Sequence, residues 1–558
     1  MKKNCRKHNV RKGATSLKVL LLCVLLALAA SFSAMTSGPV SFVKPKPKAG
    51  DIVVRHADQI SYDEALMPGV QIFVGNVEFY HDGVILKCDS ANFYQEDNSF
   101  KAFHHVSMRQ GDTLSLKCDF LFYEGNTGTA HATRNATLKH RNTTLVSDSM
   151  DYNRFENKGY FYEGGKLMDG SSTLTSDLGE YDAASRLATF YNNVYLENKD
   201  YFMKTNILYY NVASKETWTE GPSNITSGTS KIYTENGHFY TATNKAVLLN
   251  RSVITDKGTK LVADSIVYDK QNREAEGFGN FVFNDDKNKT IMTGDYCYYS
   301  DSTAYCRAYD RALVKNFSEP DTLFMHADTI EVRSFNLKTD SVYRVVNGFK
   351  HARTYRTDVQ SVADSISFNT REHRLSLYGN PIVWQDKHQI VGEEIHAFSN
   401  DSTIDSVQVI NQALLCEKLD SVHYNQVSSV EMRMYFENGA IKECKAMQNV
   451  NVNYFQFDDS SADSLIIAMN HAETSLLKLF MKDKKISKVW TAESEGMFYP
   501  IIFVTPQIMY LDSFAWFDYI RPVDKYDLFE WRGKSKDKVL QKTKRREVPL
   551  QVLKKNSK

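Results

Sequence analysis

A six-residue phrase returns at a steady step through most of the 558-residue chain, and such a repeat limits the fold more than any single motif does. The phrase runs small, acid, variable, apolar, variable, aromatic. It reads Ala57-Asp58-Gln59-Ile60-Ser61-Tyr62, Ser147-Asp148-Ser149-Met150-Asp151-Tyr152, Ala263-Asp264-Ser265-Ile266-Val267-Tyr268 and Ala363-Asp364-Ser365-Ile366-Ser367-Phe368. The acid position falls at Asp58, Asp89, Asp119, Asp148, Asp177, Asn206, Glu235, Asp264, Asp295, Asp328, Asp364, Glu394, Glu431 and Glu473, with a constant step of 29 residues from Asp119 to Asp264. Four residues later stand Tyr62, Phe93, Tyr123, Tyr152, Tyr181, Tyr210, Phe239, Tyr268, Tyr299, Val332, Phe368, Phe398, Tyr435 and Leu477. Twelve of these fourteen are aromatic, against about two from a 12% aromatic content, so the register is real.

The positions two and four after the acid are mostly apolar and those one and three after it more often polar, which is the alternation of a half-buried strand. A second phrase follows, as in Gly75-Asn76-Val77, Gly279-Asn280-Phe281-Val282-Phe283 and Gly379-Asn380-Pro381-Ile382-Val383. Its Gly and Asn suit turns or bulges, and the alternation after them reads as the next strand. Each period thus holds at least two strands and no room for a crossover helix. The fold class expected is all-β, an elongated repetitive β-solenoid or open roll of stacked repeats of about 30 residues, stable only through contacts between neighbours. Two strand layers per repeat would put Cys88 and Cys118 about 9.6 Å apart, too far for a disulfide, so both are expected to be small buried fillers.

Lys2, Lys3, Arg6, Lys7, Arg11, Lys12 and Lys18 precede an apolar run from Val19 to Ala30, too short for the ~20 residues of a spanning helix. Residues 1–34 therefore read as a secretory signal, cleaved near Ala29 to Ala34, or as an uncleaved N-terminal anchor. Residues 50–490 form the repeat region, 491–531 an aromatic capping segment and 532–558 a basic tail expected to be disordered. The formal net charge of +1 argues against a nucleic-acid partner. No metal-ligand spacing, nucleotide loop or nucleophile motif stands in a supporting context, so neither an enzyme nor a cofactor is expected.

The phrases at 263–268, 363–368 and 279–283 resemble the repeat of the OstA/LptA superfamily over roughly residues 50–490, most nearly the large OstA-like proteins of Bacteroidota. The resemblance implies an open β-jellyroll or β-taco, a periplasmic location, and a role in carrying lipopolysaccharide from the inner to the outer membrane. It also implies an LptC-like inner-membrane component and an LptD-like outer-membrane barrel as partners.

Candidate lipid-groove residues are Ile60, Tyr62, Phe93, Tyr123, Tyr152, Tyr181 and Tyr210 in the first half of the repeats. Phe239, Ile266, Tyr268, Phe283, Tyr299, Ile366 and Phe368 continue the series. Rings and branched aliphatics accommodate acyl chains without directional bonds. The same alternation also suits a closed core in a structural or adhesive cell-envelope solenoid, where the rings pack on one another. The recurring acids read as turn and strand-edge hydrogen-bonding groups rather than catalytic carboxylates.

Overall fold

The computed structural model describes residues 50–532, apart from 319, 338, 401–402, 438, 459–464 and 484. The expected signal or anchor and nearly all of the basic tail lie outside the described residues.

The described residues are almost wholly β: among them 36 strands join one sheet through antiparallel pairing, mostly of successive strands. Its early members are Val70–His81, Val84–Tyr94, Ser99–Gln110 and Leu114–Glu124, linked by tight turns. Each repeat is one outgoing and one returning strand. Cys88 and Cys118 sit on outgoing strands on either side of Ser99–Gln110, and both are buried free thiols. Two layers per repeat is therefore the observed spacing.

Every long strand bends at its middle, and the returning strands show why. They carry two consecutive left-handed residues, as at Gly75-Asn76 (φ 79° and 45°), His104-His105 (59° and 46°), Arg134-Asn135 (66° and 59°) and Gly279-Asn280 (72° and 44°). Opposite each pair lies a single residue, normally the acid of the repeat. Val74 faces Ser90 and Val77 faces Cys88, so Gly75 and Asn76 together oppose Asp89. Two residues against one make a bulge, which bends the sheet. Each strand becomes two arms whose inner faces look at each other across a V. The Gly-Asn phrase is thus a corner inside a strand, not the start of one. The alternation resets across the bulge, and in sequence that looks like a new strand.

The acids stand outside this corner and hold it. Asn side chains donate to Asp58, Asp119, Asp177 and Asp264 from Asn76, Asn135, Asn193 and Asn280 at 2.9, 3.0, 2.8 and 2.9 Å. Asp89 instead meets His105 at 2.8 Å. A Cβ on Gly279 would come within 2.6 Å of the Asp264 carboxylate, so glycine is required by space as well as by φ.

Towards the end of the array the corner residue departs from the sequence register. Glu393, not Glu394, receives Asn411 and Gln412, at 3.0 and 3.1 Å. Val430 and Ser475, rather than Glu431 and Glu473, are the single residues at the next corners. The neighbouring acids disguised a slip of one or two residues, and a slip of one moves every side chain to the other face.

Between the arms lies one hydrophobic core reaching from Ile52 to Leu477. Two last strands, Lys485–Thr491 and Ser494–Pro500, pair with opposite arms of Ile466–Lys482. From 501 the chain leaves the sheet and runs back along the outer face as a strap. Glutamines bind its backbone as a neighbouring strand would. Gln426 donates to Met509 O at 2.9 Å and accepts Leu511 N–H at 2.8 Å. Gln389 repeats this on Ala515 O and Phe517 N–H at 2.8 and 2.7 Å. Arg521 Nε reaches Gln360 Oε1 at 2.7 Å, and Phe517 and Ile520 bury themselves against Trp384, Val391 and Leu414 in a second core.

Candidate lipid groove and its rim

From Phe93 to Tyr299, and again at Phe368, the aromatic of the repeat points into the V near its open mouth, whereas the one-residue slip leaves Phe398 and Tyr435 on the face opposite the core residues Ile395, Met432 and Met434. Phe93, Tyr123, Tyr152, Tyr181 and Tyr210 are all buried there, and Phe239 is at the limit of burial. Tyr268, Phe283, Tyr299 and Phe368 are only half-buried, while Ile266 and Ile366 lie deeper and are closed off. Ile60 and Tyr62 are 64% and 57% exposed, because among the described residues the short strand Gln59–Tyr62 pairs on one side only, with Val70–His81.

In the first repeats the arms are in contact through rings. Phe79 stacks on Phe100 at 4.3 Å, and Phe100 meets Tyr123 at 5.2 Å. Above these rings the mouth is bridged by polar side chains that the sequence reading did not single out. His81 Nε2 faces Gly50 O at 3.0 Å and so carries the proton, leaving Nδ1 to accept from the Tyr123 hydroxyl at 2.8 Å. Tyr152 donates to Gln110 Oε1 at 3.0 Å. The His140 ring and Tyr181 hydroxyl are bonded at 2.8 Å. Tyr210 donates to the buried Asp169 carboxylate at 2.7 Å, and Lys215 pairs with the same group. Arg154 adds bonds to His81 O and Asp82 O at 3.0 and 3.2 Å.

Each bond joins the outer end of one arm to the outer end of the other. Burial holds His81 and His140 below the ordinary histidine pKa, so both stay neutral acceptors near pH 7, and it raises Tyr123 to about 12, so its proton stays on. The signal was present in sequence as polar residues 41 or 42 places before a column tyrosine. That offset is not a multiple of the repeat step, because it connects arms belonging to different repeats.

Past Tyr210 the row ends. Phe239 has no hydroxyl, and among the described residues from 216 to 285 no hydrogen bond joins the two rims. The next bridge is Arg344 to Asn288. Over this stretch Ile254, Tyr268, Phe283 and Tyr299 border the core half-buried.

Comparison with known proteins gives one family. Residues 49–206 match the OstA-like protein family. Over that segment the chain is similar to the OstA-like family. The matched segment takes in the hydrogen-bonded part of the mouth as far as Tyr181. A solved structure, the periplasmic component LptH of Pseudomonas aeruginosa, described as LptA-homologous and part of a conserved lipopolysaccharide transport device, is similar over 19% of this chain and 82% of its own. The identity is 16% and the TM-score 0.19. No curated protein is similar enough to match.

Proposed function

We propose that this OstA-like protein is a periplasmic conduit or bridge that holds lipopolysaccharide acyl chains between its two arms and passes them towards the outer membrane. The observation that carries this reading is the unbroken apolar core between facing arms, running from Ile52 to Leu477 in a chain whose first repeats are OstA-like. Apolar side chains at every level offer an acyl chain similar surroundings throughout, which suits movement along the array better than tight binding at one point. Polar groups for the lipid's sugars and phosphates lie on the rims. An LptC-like donor and an LptD-like acceptor are the partners in keeping with the family. The protein performs no covalent chemistry in this role.

A second reading has support of its own. The ring stack of Phe79, Phe100 and Tyr123 fills the first repeats without a ligand, as a purely structural solenoid would. Depletion of the protein in its own cells separates the two. A conduit predicts lipopolysaccharide accumulating at the inner membrane, whereas normal surface lipopolysaccharide, with no redundant homologue, favours the structural solenoid.

A further inference from the structure

We infer that lipid enters and leaves the V sideways only beyond Tyr210, through the mouth bordered by Ile254, Tyr268, Phe283 and Tyr299, and that the section before it is latched shut by hydroxyl hydrogen bonds. This rests on the conduit reading and adds where along the array the acyl chains have access.

Three observations converge on it. The mouth-facing residues pass from buried at Tyr123, Tyr152, Tyr181 and Tyr210 to half-buried at Tyr268 and Tyr299. On the opposite arm the same change occurs between Leu138, 1% exposed, and Ile254 and Phe283, which are half-buried. The cross-mouth bonds of His81, Gln110, His140 and Asp169 stop at the same level. To admit a chain, the latched section must first leave buried polar groups without partners, whereas the unlatched section has only apolar contacts to exchange for those of the lipid.

The occupant is the acyl portion of a phosphorylated, multiply acylated lipid. An arm of five residues spans about 17 Å, close to half of a ~30 Å hydrocarbon core, so it covers a chain of one leaflet's length. Exposed Lys257 and Lys287 on one rim and Lys270 on the other stand where anionic head groups would emerge. The hydroxyl is the part of the latch that is free to vary, because phenylalanine at the same position, as at Phe239, keeps the ring in the core.

The test uses the full chain with a photoreactive residue at Met108 or Leu138 in the latched section, or at Ile254 or Phe283 in the unlatched one, and lipid A as the probe. None of these positions belongs to the latch. Adducts severalfold more abundant at Ile254 and Phe283 are expected. Combining Tyr123→Phe, Tyr152→Phe and Tyr181→Phe should raise the yield at Met108 and Leu138 towards that of the other pair. Equal labelling of both sections in the unaltered protein overturns the inference while leaving the conduit standing, and so does a triple variant that folds but labels no differently. Absence of adducts at all four positions overturns the conduit as well.

Discussion

The hydroxyl of Tyr152 donates to Gln110 Oε1 at 3.0 Å, closing the V between residues 42 positions apart in the chain. Because Gln110 also donates to Asn157 Oδ1 at 2.9 Å, losing the tyrosine hydroxyl leaves the amide partly satisfied. Tyr152→Phe is therefore expected to cost only about 1 kcal/mol, while Tyr152→Ala, which also empties a fully buried ring site, costs about 3–5 kcal/mol. Urea unfolding of the two variants measures the difference, and equal costs would show that the hydroxyl, not the ring, dominates.

The corner makes a different prediction. Gly279→Ala puts a methyl at φ 72° and against the Asp264 carboxylate, at a cost of about 1–3 kcal/mol. In an Asp264→Ala background the contact is gone and only the backbone part remains. A double-mutant cycle should show a clear coupling between the two positions. Strict additivity would mean the carboxylate moves aside without cost.

Acid should loosen the array before its carboxylates titrate. Burial, reinforced by Arg353, lowers His326 from 6.5 to about 4, and burial likewise lowers His81 and His140. The unfolded chain binds these protons more readily than the folded one. The stability they contribute is thus complete above pH 6.5 and is lost as pH falls towards about 4, on the order of 3 kcal/mol for His326 alone. Unfolding midpoints should hold nearly level above about pH 6.5 and fall steadily from there towards pH 5, and His326→Gln should flatten that slope.

The six cysteines of the repeat region are all buried, and none forms a disulfide. Burial raises Cys88, Cys118, Cys297 and Cys444 to about 12, so the thiolate is scarce at neutral pH. Native protein should react slowly with maleimide and unfolded protein quickly. Non-reducing peptide mapping should find no Cys88 to Cys118 bond, and finding one would contradict the two-layer repeat.

The strap depends on Gln389, which satisfies Ala515 O, Phe517 N–H and the Trp384 indole at 2.8, 2.7 and 3.1 Å. Gln389→Leu strands those groups and is expected to cost about 2–4 kcal/mol. Tryptophan emission should shift to the red as Trp516 loses its cover, and protease should cut between 501 and 531. An unchanged spectrum and cleavage pattern would assign the strap's hold to Phe517 and Ile520 instead.

How much of this was legible follows from what a local pattern records. The column from Phe93 to Tyr299 was readable because one side chain recurs at one place on successive outgoing strands. The acids were readable as structural because they recur once per repeat, often with Ser or Thr after them, whereas their Asn partners 16 or 18 residues on show only in the folded corner. The corner itself was misread, since a bulge and a strand start leave the same trace in the alternation. Ile60 and Tyr62 match the pattern but lie at an edge, where burial depends on a neighbour that the phrase does not encode. The bonds of His81 and Gln110 join different repeats across the V, so only the folded arrangement shows them as partners.

The strap changes how the molecule should come apart. Repeats that touch only their neighbours unfold by fraying from an end, as a one-dimensional array does. Here the strap touches His326 through Phe529 at 4.9 Å, then Gln360, Gln389 and Gln426, and finally Asn453, which donates to Ile508 O at 3.0 Å. Strands far apart in the array thereby share one cover, and none of them can open without releasing it. Amide exchange should accordingly divide the protein into a graded N-terminal section and a C-terminal block that opens as a single cooperative unit.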